Sequence, residues 1–313
     1  MLTKEQKEEI IALMDEEKER LGTYSAVARK CGVSESTVSQ LRKGVYLGDN
    51  DEILKKIGIA LNYSFEEGCW QIAEDITNFR IVADTLTDAK QESMFMGISH
   101  RAGSGKTAAA EVFTNRNKRR AVFMITAREW SGKVFLTRVA GELGAELPKG
   151  ILTVDQLIDA IAVAVTKMAA LKPLLIVDQA NSLKPSALRS FIHLFNAVED
   201  LLGVVIIGTE NLETEIKRGI RLNKLGYDEF DSRFGRNYIH LLGATLADVR
   251  KICSLNGIDD PSTQEALFRK CQPKQTTVDD EKTRNGKTIY VVEDIRRLKR
   301  LIMAELLNRK YNE

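Results

Sequence analysis

The chain has 313 residues, with 46 Lys plus Arg against 44 Asp plus Glu, 43% hydrophobic side chains and 29% charged ones. That length predicts about two domains with cores large enough to need no covalent staples, and the balance is that of a soluble globular protein. A net charge of +2 means that any nucleic-acid surface must come from local patches.

Four cysteines, Cys31, Cys69, Cys253 and Cys271, lie far apart without a CxxC pair. This argues against a thiolate metal site and predicts reduced thiols. The N-terminus MLTKEQKEEI is charged throughout, and Lys167, Lys172 and Pro173 interrupt the longest apolar stretch, Ala160 to Val177. Neither a signal peptide nor a membrane span is expected.

Residues 1–66 read as several short helices forming a first domain, with a composition change near Tyr63 to Gly68. Within it, residues 23–42 carry a helix-turn-helix pattern. Gly32 accommodates the turn, small Ala28 permits close approach, Val27, Cys31, Val33, Val38 and Leu41 supply apolar contacts, and Ser34 caps the second helix. A second helix lying in the major groove would offer Glu35, Ser36, Thr37 and Gln40, with Arg42 and Lys43 toward phosphates. Acidic residues slightly outnumber basic ones over residues 1–63, so this module alone predicts weak DNA binding.

Residues 67–243 read as an α/β core. From about Thr77, apolar runs alternate with helical segments: Met94 to Ile98, Ala121 to Thr126, Leu174 to Asp178, Val204 to Gly208 and Tyr238 to Leu241. This pattern predicts a parallel sheet with crossover helices. The first run leads into His100-Arg101-Ala102-Gly103-Ser104-Gly105-Lys106-Thr107 and a helical segment from Ala108, the strand–turn–helix context of a P-loop. Arg101, Ala102, Gly103, Ser104, Gly105, Lys106, Thr107 and Ala108 are therefore candidate nucleotide-binding residues. Glycines let amides converge on phosphate oxygens, Lys106 supplies a point charge, and Thr107 can ligate Mg²⁺. His100 stands where the strict pattern has glycine.

The third run ends in Asp178, suited to hold the metal through water. Gln179 follows where hydrolytic ATPases of this type carry a water-activating Glu, which predicts ATP binding with slow or partner-dependent hydrolysis. Thr209, with Asn211 the alternative, is placed to sense the terminal phosphate. Arg233, favoured over Arg236, is placed to reach a neighbouring subunit's nucleotide. Basic clusters at Asn117 to Arg120, at Arg128 and Lys133, and at Lys217, Arg218 and Arg221 follow the strands, where loops can neutralise DNA phosphates.

Residues 244–313 read as a helical lid. Thr245 to Asp248 has the form of a capping box, and Pro261 opens another helix. A loop or hairpin is expected around Asn285-Gly286, followed by a final helix from about Val292 to Lys310 in which Arg296 suits closure on the phosphates.

The ordered set of Gly32-Val33-Ser34, a segment Thr77 to Ala89, Gly103 to Thr107, Ile176-Val177-Asp178, Gly208-Thr209, Ser232-Arg233-Phe234 and a helical lid resembles the phage Mu B-type transposition proteins over nearly the whole chain. The resemblance implies an AAA+ P-loop parallel sheet with a C-terminal helical lid, preceded by a small all-α helix-turn-helix domain. It also implies ATP and Mg²⁺ as cofactors and polymerisation of the ATP-bound chain, as a helical filament or ring, on double-stranded DNA. It implies stimulation of a DDE transposase in a bacterial or phage-infected host cytoplasm, without a membrane partner. His100 and Gln179 depart from that family's pattern. A helicase-loader or replication-initiator ATPase, and a transcriptional regulator with an ATP-sensing domain, remain alternatives.

Overall fold

A computed structural model describes residues 2, 4–46, 48, 50–61, 63, 70–117, 120–279 and 286–312. The chain divides into two compact units, Met1–Trp70 and Gln71–Glu313. The Ser64 to Gly68 part of the expected first boundary, Cys69, Lys118, Arg119 and Asn285 lie outside the described residues.

Among the described residues, the regular structure of the first unit is helical: α1 (Lys4–Leu21), α2 (Tyr24–Cys31), α3 (Glu35–Arg42) and α4 (Asn50–Ala60). The expectation of short helices fails for α1, whose 18 residues contain neither Gly nor Pro to stop them. Between α2 and α3 the chain turns at Gly32, whose φ of 63° lies in the left-handed region that glycine adopts without a Cβ penalty. The Thr23 hydroxyl accepts from Ala26 N, and the Ser34 hydroxyl accepts from Thr37 N at 3.0 Å, capping the two helices. Ile10, Met14, Val27, Ala28, Cys31, Val38, Leu41, Leu54, Ile57 and Leu61 close the core of this unit.

The second unit opens with α5 (Thr77–Gln91) and then alternates strand and helix: β1 (Phe95–Ser99), α6 (Lys106–Arg116), β2 (Val122–Thr126), α7 (Gly132–Glu142), α8 (Val154–Lys167), β3 (Leu174–Asp178), α9 (Pro185–Val198), β4 (Gly203–Gly208), α10 (Glu210–Arg221), α11 (Tyr227–Arg233) and β5 (Tyr238–Ile239). Helices α12 (Leu246–Leu255) and α13 (Pro261–Lys270), the antiparallel pair β6 (Lys274–Asp279) and β7 (Gly286–Val291), and α14 (Ile295–Asn312) follow. The Thr245–Asp248 capping box forms, and Pro261 opens α13.

The five main strands are all parallel, in the order β2-β3-β4-β1-β5. Helices cover both faces, so β3 and β4 are buried along their whole length and read as unbroken apolar runs. Alternation divides their side chains. Leu175, Val177, Val204 and Ile206 face the core built on Phe135, Leu157, Phe191, Phe230 and Phe234, whereas Leu174, Ile176, Val205 and Ile207 meet Val82, Leu86, Ala109 and Ala110. Ser99 pairs in register with Gly208, and Thr126 with Asp178, so the strands end together at one edge of the sheet. This is an α/β fold, a parallel sheet with helices on both faces. None of the described helices is long and apolar enough to cross a membrane.

Candidate nucleotide site

The site lies at the carboxyl edge of the sheet, the place where open α/β sheets gather ligands. Ser99 ends β1, Lys106 begins α6, and the intervening loop turns through Gly103 (φ 85°) and Gly105 (φ 91°). The positive φ favours glycine at 103, and a Cβ there would meet the Asp294 carboxylate, which would have to move aside.

Lys106 is 7% exposed and donates to His100 O and Arg101 O, both at 2.7 Å, and to Ser104 Oγ at 3.1 Å. Burial pushes its ammonium down to about 8, against the pull of Asp178 and Glu210. A buried cation held only by neutral oxygens within its own loop is a favourable electrostatic partner for an anion. Thr107 Oγ1 donates to Asp178 Oδ2 at 2.8 Å, bringing together the two oxygen side chains assigned to a divalent cation. Asp178 is 2% exposed at the end of β3. The first turn of α6 adds free amides and the positive end of its dipole. These donors suit a phosphate chain with its Mg²⁺.

Gln179 is exposed beside Asp178, in the left-handed region with φ 55°. Two residues on, Asn181 Oδ1 accepts from Thr209 N at 3.1 Å, while Ser99 Oγ donates to Thr209 O at 3.0 Å. Thr209 is thus held at its backbone, and its buried hydroxyl has no partner. Asn211 is exposed on α10. His100 also carries a buried, partnerless Nε2, and burial together with Lys106 lowers its basicity.

The final helix docks on this loop. Ile295 N and Arg296 N donate to Gly103 O at 2.8 and 3.3 Å, and the Arg296 charge acts on Lys106. Arg101 pairs with Glu293 at 2.6 Å and Glu210 at 3.3 Å. The half-buried Arg233 ends α11, donates to Asn196 Oδ1 at 3.0 Å and lies over the Phe195 ring. Arg236 is instead gripped by both carboxylate oxygens of Asp228.

The candidate DNA residues divide by their partners. In the first unit, Glu35 accepts from Ser25 Oγ at 2.5 Å, and Ser36 and Thr37 share the Ser34 hydroxyl. Arg42 pairs with Asp15 at 2.7 Å and lies 4.1 Å from the Tyr24 ring centre, so it braces α3 against α1 and α2. Gln40 and Lys43 are exposed. In the second unit, Arg128 and Lys133 are exposed after β2. The loop expected to carry Lys217, Arg218 and Arg221 is helix α10, because no breaker interrupts residues 210–218 and its acidic start and basic end complement the helix dipole. Lys217 turns back to the buried Asp231 at 3.0 Å, and Arg218 faces Glu215.

Sequence reading missed two residues here. Asn78, buried on α5, donates to Ser104 O. Glu111 stands one turn beyond Thr107 on α6, and burial and the nearby Asp178 raise its carboxyl. The i, i+4 spacing from Thr107 was a usable signal for Glu111, whereas a single Asn on a helix gave none.

Residues 91–215 match the family model described as an AAA domain. That segment holds β1 through β4 with the phosphate loop, Asp178 and Thr209. Among solved structures, Cdc6p from Pyrobaculum aerophilum is similar at 17% identity and a TM-score of 0.43, over 62% of this chain. The match spans 51% of that structure, about half its length. No curated protein matches the chain.

Proposed function

We propose that this chain is an ATP-controlled DNA-binding protein that assembles on double-stranded DNA as a homo-oligomer and directs a DDE transposase to it. The observation that carries the nucleotide half is the Thr107–Asp178 bond beside the buried Lys106 ammonium. The DNA half is supported by the capped helix-turn-helix and by exposed Gln40, Lys43, Arg128 and Lys133. The transposition assignment is supported by the order of motifs along the chain.

In this reading Arg101 to Ala108 would cradle the phosphates, Lys106 would face the β and γ groups, and Thr107 and Asp178 would hold Mg²⁺. Bound Mg²⁺ supplies neutralisation of phosphate charge. Thr209 offers its hydroxyl to the terminal phosphate, Arg296 closes from the lid, and Arg233 completes the site of a neighbouring copy. Gln179 orients water without accepting its proton, so turnover is slow and ATP acts as an assembly switch. A ligand that binds only the assembled state favours assembly by its differential affinity.

The test is electron microscopy of the protein with long duplex DNA and a nonhydrolysable ATP analogue. Filaments or rings that need both components support the proposal. Dispersed particles, one high-affinity operator without length dependence, or capture of a hexameric helicase would move the function to another class.

A further inference from the structure

Asn78 is 2% exposed, and its side chain spans two segments remote in sequence. Nδ2 donates to Ser104 O at 3.1 Å, and Oδ1 accepts from Gly243 N at 2.9 Å. Thr77 beside it donates its amide and hydroxyl to Asp248 at 3.1 and 2.8 Å. Asp248 is buried and belongs to the capping box of α12. The start of α5 is therefore fastened to the phosphate loop on one side and to the lid on the other.

The fastening closes on itself. Beyond Gly243, Ala244 exchanges two backbone hydrogen bonds with Val292, each 2.8 Å. Three residues later, Ile295 N and Arg296 N reach Gly103 O. Gly103 and Ser104 are consecutive, so both of their carbonyls are engaged, one by α14 and one by Asn78. Rotating either peptide to re-aim its N–H breaks a bond to α14 or to Asn78 and leaves a polar group without its partner.

We propose that Asn78 is the positioning residue that couples the conformation of the phosphate loop to the lid at Gly243 and Ile295. The proposal rests on the nucleotide-binding reading above. Phosphates held by the loop amides fix the peptides of Gly103 and Ser104, and Asn78 passes that constraint to Gly243. A ligand that binds the closed ring and not the opened one stabilises every bond in it by the same mass action.

The test uses the full chain, Mg²⁺ with ATPγS, calorimetry and amide hydrogen exchange on wild type, Asn78→Ala and Asn78→Asp. In wild type, saturating ATPγS slows exchange at Gly243, Ile295 and Arg296 by about tenfold or more. Asn78→Ala weakens ATPγS about tenfold and abolishes that slowing at saturation, while the amides of residues 103–107 are still protected. Asn78→Asp keeps an acceptor for Gly243 N but has no donor for Ser104 O, so Gly243 stays protected without nucleotide and the nucleotide response disappears.

If Asn78→Ala does not melt cooperatively, Asn78→Asp decides the matter alone. Wild-type affinity and wild-type slowing in a folded variant overturn the coupling role and leave nucleotide binding standing. Absence of ATPγS binding by wild type overturns both.

Discussion

Thr107 Oγ1 donates to Asp178 Oδ2 at 2.8 Å, tying the first turn of α6 to the end of β3 across residues far apart in sequence. A neutral hydroxyl and a buried carboxylate so placed are a ready pair of oxygen ligands for a hard cation. Asp178→Asn keeps the volume and an acceptor but removes the charge. It is expected to lower the Mg²⁺-dependent part of ATP affinity and reduce turnover by about 10²-fold or more. Nucleotide titrations with and without Mg²⁺ check this, and an unchanged Mg²⁺ dependence contradicts it.

Gln179 follows that carboxylate in the chain, and under the proposed function its amide takes the place that a general base would have in a hydrolytic ATPase. General bases contribute about 10²–10⁴ in rate. Gln179→Glu keeps the length and the left-handed backbone, so its main effect is chemical. Steady-state phosphate release is expected to rise by about tenfold or more. Turnover equal to or below wild type removes the rationale for a slow switch.

The two candidate arginines differ in what holds them. Arg236 is clamped by Asp228, whereas Arg233 has the neutral Asn196 amide and the Phe195 ring, with Glu229 at 3.6 Å. Arg233→Ala is expected to retain ATP binding by the isolated chain and lose DNA-dependent ATP turnover. Mixing it with Lys106→Ala then restores a fraction of turnover, because each copy supplies what the other lacks. Arg236→Ala is expected to retain turnover and DNA-dependent assembly. The opposite ranking would assign Arg236 the role in trans.

Lys217 separates a structural charge from a nucleic-acid contact. Asp231 is 1% exposed, and Lys217→Ala leaves its carboxylate without that cation, an expected loss of about 1–3 kcal/mol in thermal or urea unfolding. By contrast, Arg128→Ala and Lys133→Ala leave stability within about 0.5 kcal/mol. Each lowers the salt slope of DNA binding by about 0.9 if its side chain meets a phosphate. Binding at several ionic strengths measures the slope, and slopes equal to wild type for both variants remove this surface from the DNA reading.

Much of the sheet and its loop is written locally. Continuous apolar runs bounded by polar turns mark β3 and β4 because both faces are covered, and the spacing around Lys106 carries its own chemistry. The caps at Ser34 and Thr245 are equally local, since each bonds a backbone amide three residues ahead. What the sequence conceals is long-range. Asn78 meets Ser104 and Gly243, Arg101 meets Glu293, and Ile295 meets Gly103, none of which leaves a periodic trace. Basic residues mislead for the same reason: Lys217 and Arg42 look free in sequence, and each turns back to a carboxylate on another helix.

The central claim is that Lys106 and the amides around it hold a triphosphate. Titration of ATP with Mg²⁺ into the full chain in a calorimeter tests it most directly, with Lys106→Ala as the control. Saturable heat from wild type, and affinity lower by about tenfold or more in Lys106→Ala, is the predicted result. No heat from the folded wild-type protein, or equal affinity in the variant, would contradict it.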